Sequence, residues 1–480
     1  MATGERYLYW RFVALGVATL AIWNAYIVSS GFFRWVLRGT PFESSFESVF
    51  SVVSNSVNLA ALSYALYTQA AADHDRRIRR SLHATAAAFA AVSLVAALGI
   101  GGYAALATAL LALCVASVAA AYIQCSVLGI AAPLPPSCAE AYMGGQAIAG
   151  TVASAAQLAV VYSGPTGESS SIAATATAID GHLQVRTAAY FGVGAAFLAL
   201  CVGAWRQLHV RLARTGDGQR LPGGHTATPA GALRSAMQEG SPSMLRARVA
   251  EHTPAAGDPG DPGDQTELDM AGPGGGYAPA PTGGPPPART LPKWLASLGL
   301  QNAQPIYATY AEIRPFAAIC GMAMAQTLAV FPPLTEAVVS SPQAALPVAH
   351  LTAWHFFVFN VADYAGRLST QWLPGRSLRA LWWAAHARWL LVPVLLLFPT
   401  AATLPLPSRT LALRSDPLFL AVVFALGWSN GWIATTALIH GPRHATNKEL
   451  AGSILGLAMC IGLVVGAVAS YPVLLAASMR

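Results

Sequence analysis

The stretch "WHFFVFNVADYAGRLSTQW" (Trp354–Trp372) has the length and oiliness of a membrane span, yet it holds His355, Asn360, Asp363 and Arg367. A charge at the centre of a spanning helix costs about 2.5–3.5 kcal/mol on insertion scales. Wound as a helix at about 100° per residue, the run puts Phe356, Asn360, Asp363 and Arg367 on one narrow stripe. Asp363 and Arg367 stand four residues apart, so they are neighbours on the helix surface and can pair. A stripe of this kind must face protein or a water-filled cavity, because lipid offers its charges no partner. Two roles are open for it. One is an ion pair that locks the helix to its neighbours. The other is a polar ligand site with an acceptor (Asp363), a multi-donor fork (Arg367) and an amide (Asn360). His355 lies one position off the stripe and reads more readily as a packed interfacial histidine than as a proton relay.

The rest of the chain supplies the membrane setting. Of 480 residues, 55% are hydrophobic and 10% charged, against about 25% charged in ordinary globular proteins. Eleven runs are long enough to span: 8–33, 46–72, 82–100, 104–131, 140–163, 186–207, 310–331, 348–373, 378–404, 415–440 and 449–478. Continuous runs of this length exclude a β-barrel, whose strands alternate over about ten residues. The expected class is an all-α polytopic membrane protein with eleven transmembrane helices. The first run carries Trp23 and Asn24 and no small-residue cleavage site after it, so it reads as a retained helix rather than a signal peptide. The basic turn "DRRIRR" (Asp75–Arg80) after the second run places that turn, and with it the N-terminus, in the cytosol.

One long break interrupts the spans. It contains "GDPGDPGDQ" (Gly257–Gln265), and Pro and Gly at that density bury too little apolar surface to fold. The chain therefore divides into a bundle over 1–207 (six spans), a disordered cytosolic loop over 208–308, and a bundle over 309–480 (five spans). The six cysteines show no paired spacing, hence no disulfide framework and no zinc motif. No metal and no cofactor is expected. The +7 net charge sits largely in the loop and the basic turn. It fits an anionic leaflet, and no basic–aromatic pattern points to nucleic acid.

Other spans add uncharged polar groups: Asn24, Asn55, Asn58, Gln124, Gln146, Gln157, Ser429 and Asn430. Each alone is commonly helix–helix glue. Together they give both bundles polar groups at membrane depth. Amides offer donor and acceptor at once, and aromatic faces stack a planar ring. Such a lining suits a flat, neutral, heteroatom-rich solute. Glycines at four-residue spacing (Gly452 and Gly456, then Gly462 and Gly466) mark close helix approach in the last span.

These residues also carry a family resemblance. "FNVADYAGR" (Phe359–Arg367) resembles the FN-x-x-D-x-x-GR signature of the equilibrative nucleoside transporter family. "GWSNGW" (Gly427–Trp432) with "HGP" (His440–Pro442), "TLAIWN" (Thr19–Asn24), "YIQCSVLGIAAPLPP" (Tyr122–Pro136), "GGQAIAG" (Gly144–Gly150) and "KELAGSILGLAMCIGLVVGAV" (Lys448–Val468) are similar to other family stretches, in the same order. The resemblance implies a major-facilitator-like arrangement of six plus five spans. It implies facilitative transport of nucleosides, and of nucleobases as a further class, by alternating access around a midplane site. Asp363 and Arg367 would bind the solute, Gln124 would read the base edge, and Trp23 with Leu20 and Ile27 would wall the base or sugar. Leu463 would be an apolar wall and Asn360 a support for the charged pair. Two positions depart from relatives: Ile22 replaces a proline, and Ser63 stands where a larger apolar wall residue is expected.

Alternatives remain at this point: a proton-coupled symporter using Asp363, a major-facilitator carrier for another polar solute, or a receptor. Enzyme readings lack support. Asp363 is the one clear intramembrane aspartate, where an aspartyl protease would want two. No phosphate-binding G-x-x-x-x-G-K-S/T occurs. A plasma-membrane address is the default, with an endolysosomal or vacuolar membrane the alternative, and a monomer is expected to suffice.

Overall fold

The computed structural model describes residues 3–43, 46–162, 172–216, 303–340, 347–373, 377–400 and 413–478. They are helical almost throughout. The first half holds α1 (Thr3–Val28), α2 (Ser30–Val36), α3 (Phe46–Tyr67), α4 (His74–Ala97), α5 (Gly102–Ala131), α6 (Pro136–Tyr162) and α7 (Ile172–Gly216). The second holds α8 (Ala303–Val330), α9 (Pro333–Ala337), α10 (Val348–Leu368), α11 (Leu378–Ala387), α12 (Leu391–Leu396), α13 (Asp416–His440) and α14 (Lys448–Ser478). Long apolar runs become helices because only a helix satisfies its own backbone inside hydrocarbon. Several starts are fixed by side chains. Asp73 accepts from the Arg76 N–H ahead of α4, and Ser377 and Ser415 cap α11 and α13.

Among the described residues eight helical segments are long and apolar enough to cross a membrane, so the chain is a multi-pass membrane protein. The eleven expected runs map onto the structure with three differences. Helices α6 and α10 have 27 and 21 residues but are not among the eight. They carry Glu140, Gln146 and Gln157, and His355, Asn360, Asp363 and Arg367. The run expected over 378–404 is not one helix. It breaks into α11, a single 3-10 turn at Arg388–Leu390, and α12. Pro393 explains the break, since its ring crowds the carbonyl four residues earlier, at Trp389, and it has no N–H to donate there. The first run, expected to reach residue 33, ends at Val28, with Ser29 separating it from α2. At the predicted loop 208–308, α7 runs on to Gly216 and α8 begins at Ala303. The rest of that loop lies outside the described residues.

Within the first half α1 packs on α6, α4 on α5 and α7, and α3 on α5. Within the second, α8 packs on α14 and α13, and α10 on α13. The halves meet along two seams, α6 against α10 and α5 with α3 against α14. Glycine makes the closest of these approaches. A Cβ on Gly462 would lie within 2.1 Å of the Gly321 carbonyl oxygen on α8. One on Gly452 would lie 2.4 Å from the Leu128 oxygen on α5. The regular glycine row of α14 therefore serves two partners, one in each half.

Candidate solute-binding site

Helix α10 meets α13 through interlocked glycines. A Cβ on Gly366 would fall 2.1 Å from the Trp428 oxygen, and one on Gly431 2.0 Å from the Asp363 oxygen. This contact of bare backbones brings Asn430 within reach of Asp363, and its Nδ2 donates to Asp363 Oδ1 at 2.7 Å. Arg367 Nε donates to the other oxygen, Oδ2, at 2.7 Å. Both residues are buried, at 5% and 7% exposure. The carboxylate is thus held at both oxygens, and the ion pair expected from the four-residue spacing is formed.

Arg367 also reaches across the seam. Its Nη1 donates to the Met143 carbonyl oxygen of α6 at 2.8 Å. A guanidinium has five N–H groups. Arg367 uses two of them, on Nε and Nη1, which leaves three among the described residues, including both on Nη2. A buried arginine with three N–H groups unfilled among the described residues, at the junction of the two halves, can donate to a further acceptor.

Asn360 lies two turns up the stripe. Its Nδ2 bonds back to the Phe356 oxygen at 2.8 Å, and its Oδ1 fills the space left by Gly150 of α6. Phe356 and the fully buried His355 lie in an aromatic cluster with Phe331 and Phe419. His355 is a packed ring there.

The other candidates are more dispersed. Gln124 on α5 donates across the second seam to the Gly456 oxygen at 3.3 Å. Trp23, Leu20 and Ile27 are half-buried on α1, and Leu463 is half-buried on α14. Ser63 is exposed, and its hydroxyl bonds back to the Leu59 oxygen. Among the described residues no hydrogen bond or ring contact joins these six to the α10 cluster. The structure therefore assembles Asp363, Arg367 and Asn430, sets Asn360 beside them, and leaves the others as separate surfaces.

Sequence reasoning passed over Arg388. It sits in the turn between α11 and α12 with 3% exposure. All five of its N–H groups are donated, to Ser429 Oγ, the Ala323 and Leu426 oxygens, Gln326 Oε1 and Thr327 Oγ1. Further seam contacts were equally unmarked. Gln371 pairs with Glu140, Trp354 Nε1 donates to the Tyr162 hydroxyl at 2.9 Å, and His74 meets Glu449 at 2.7 Å. Arg388 did have a signal, an arginine inside a spanning run, the same one that singles out Arg367.

The glycine-locked α10–α13 pair, with its Asp, Arg and Asn, falls inside a stretch that matches a family model. Residues 289–475 match the model described as nucleoside transporter. Over that stretch the chain is similar to the nucleoside transporter family. Human equilibrative nucleoside transporter 1 is 32% identical over 158 residues, covering 30% of this chain and 32% of that protein. The rat protein of the same name is 31% identical over 153 residues. An Arabidopsis thaliana equilibrative nucleotide transporter 8 is 28% identical over 149 residues, covering 30% of this chain and 35% of that protein. The chain spans about a third of the length of the curated relatives it matches. A solved major facilitator superfamily transporter, FucP, in its outward conformation, aligns over 98% of this chain and 96% of its own, with 13% identity and a TM-score of 0.48. The family-model match thus lies in the second half, where α8, α10, α13 and α14 lie.

Proposed function

We propose that the chain is a facilitative carrier of nucleosides, and of nucleobases as a second class, working by alternating access. The observation that carries this reading is Arg367. It is buried at the seam, is tied to Asp363 on one side and to Met143 of the other half on the second, and retains three N–H groups. Nucleobases present carbonyl and ring-nitrogen acceptors in one plane, which a planar guanidinium fork can address. A solute bonded there would contact α10 directly and α6 beside it. It would favour whichever arrangement of the halves completes its bonds, as a ligand with differential affinity must.

In this reading residues 1–207 and 309–480 move as two bundles, and the N-terminus faces the cytosol. Gln124 at the second seam, and Trp23, Leu20, Ile27 and Leu463, line the path and approach the solute as the halves rock. Ser63 leaves the α3 wall more polar than a large apolar residue would. One copy of the chain suffices, and a plasma membrane is the assigned setting.

The test is uptake of labelled adenosine and uridine into proteoliposomes, with unlabelled nucleosides, nucleobases and hexoses as competitors. Saturable uptake competed by nucleosides is expected. Uptake displaced by hexoses and indifferent to nucleosides overturns the assignment.

A further inference from the structure

We propose that Arg388 is a positioning residue for the solute site, acting on Asp363 through Thr327 and Asn430. The inference rests on the nucleoside reading and names the device that orients its binding arginine.

The chain of contacts is short and buried. Arg388 Nη2 donates to Thr327 Oγ1 at 2.7 Å. Thr327 Oγ1 lies 2.8 Å from Asn430 Oδ1, and Asn430 Nδ2 lies 2.7 Å from Asp363 Oδ1. A guanidinium only donates and an ionised carboxylate only accepts. Between such ends the two middle groups have one consistent direction: Thr327 accepts from Arg388 and donates to Asn430, which donates to Asp363.

Arg388 enforces this direction at a second point. Thr327 has one proton and two acceptors in reach, Asn430 Oδ1 and the Ala323 oxygen at 2.9 Å. Arg388 Nη1 already donates to that Ala323 oxygen at 2.8 Å. The hydroxyl proton is thereby directed to Asn430. Without Arg388 the hydroxyl can turn back to Ala323 and the Asn430 amide can flip. The flipped amide would set its oxygen against the Asp363 carboxylate, acceptor against acceptor. Asp363 would then lose one of its two anchors and turn, and Arg367 would turn with it. Arg388 itself has no N–H left for a solute, so its influence on binding is indirect.

Thr327→Val separates this role from packing. Valine keeps the branched shape and removes the hydroxyl, while four of the five Arg388 bonds stay in place. The expected result is an adenosine KM raised about tenfold, since a link to a charged group is lost, with Vmax held within about twofold. Thr327→Ser should restore KM. In an Asn430→Ala background Thr327→Val should add no further rise, because there is no amide left to orient. An unchanged KM in Thr327→Val, or penalties from the two substitutions that simply add, overturns the proposal. Should Thr327→Val fail to insert, Asn430→Ala alone reads the same link, and a wild-type KM there overturns it equally. Wild-type protein that moves no nucleoside sinks the functional reading instead, and the two failures are told apart by that control.

Discussion

Arg367 on α10 donates to Asp363 of its own helix at 2.7 Å and to the Met143 carbonyl of α6 at 2.8 Å, so one side chain neutralises a buried carboxylate and bridges the two halves of the molecule. Each end of this arrangement is matched in polarity. Asp363 accepts from Asn430, and Arg367 donates to a carbonyl.

That matching predicts the outcome of exchanging the pair. Asp363→Ala leaves a buried arginine uncompensated, a change that costs about 3–5 kcal/mol in comparable pairs. It should abolish uptake and lower the thermal midpoint. The double exchange Asp363→Arg with Arg367→Asp keeps the ion pair but sets a donor against the Asn430 amide and an acceptor against the Met143 oxygen. Uptake should stay lost. Wild-type uptake in the exchanged variant would show that the pair is only a structural lock.

Two glycines on either side of α10 should respond differently to the same methyl group. A Cβ on Gly431 meets the Asp363 backbone oxygen at 2.0 Å, where nothing can move aside. A Cβ on Gly150 meets the Asn360 side-chain oxygen at 2.2 Å, which can be removed. Overpacking of this kind costs about 1–3 kcal/mol. Both Gly431→Ala and Gly150→Ala should lower transport and the thermal midpoint. Asn360→Ala should recover stability in the Gly150→Ala background, and no side-chain truncation at Asp363 should do so for Gly431→Ala. Thermal unfolding in detergent distinguishes the two.

Legibility in the sequence followed the expense of the feature. Asp363 and Arg367 stood out because charge in a span is rare and costly, and the stripe and its partner spacing follow from helix geometry alone. The α10–α13 contact was half visible, as glycines in "FNVADYAGR" and "GWSNGW" whose mutual fit appears only when the backbones meet. The α14 glycines gave their spacing but not their division. Six residues separate Gly456 from Gly462, which turns the row by about 120° around the helix, enough to face α5 with one pair and α8 with the other. Backbone partners across the seams left no trace, because a carbonyl such as that of Met143 looks the same in every residue. Arg388 was hidden by the assumption of an unbroken span over 378–404. Pro393 marks the break, and the turn it forces is what buries Arg388.

The seam between α4 and α14 should open during transport if the halves rock. His74 Nε2 and Glu449 Oε1 lie 2.7 Å apart, one in each half, and the Ser453 hydroxyl bonds the Cys125 oxygen close by at 2.9 Å. Replacing His74 and Glu449 by cysteine allows a cleavable bifunctional thiol reagent to tie α4 to α14. Cross-linking should arrest uptake, and cleaving the cross-link should restore it. Unaltered uptake with the cross-link in place would mean that this contact stays shut throughout the cycle.

The most direct test of a passive carrier is the end point of uptake. Proteoliposomes holding the wild-type chain, given labelled uridine with and without an inward proton gradient, should fill to the outside concentration and stop, with the same end point when a protonophore is added. Uridine accumulated above the outside concentration, and lost on adding the protonophore, would contradict facilitative transport and show a proton-coupled carrier instead.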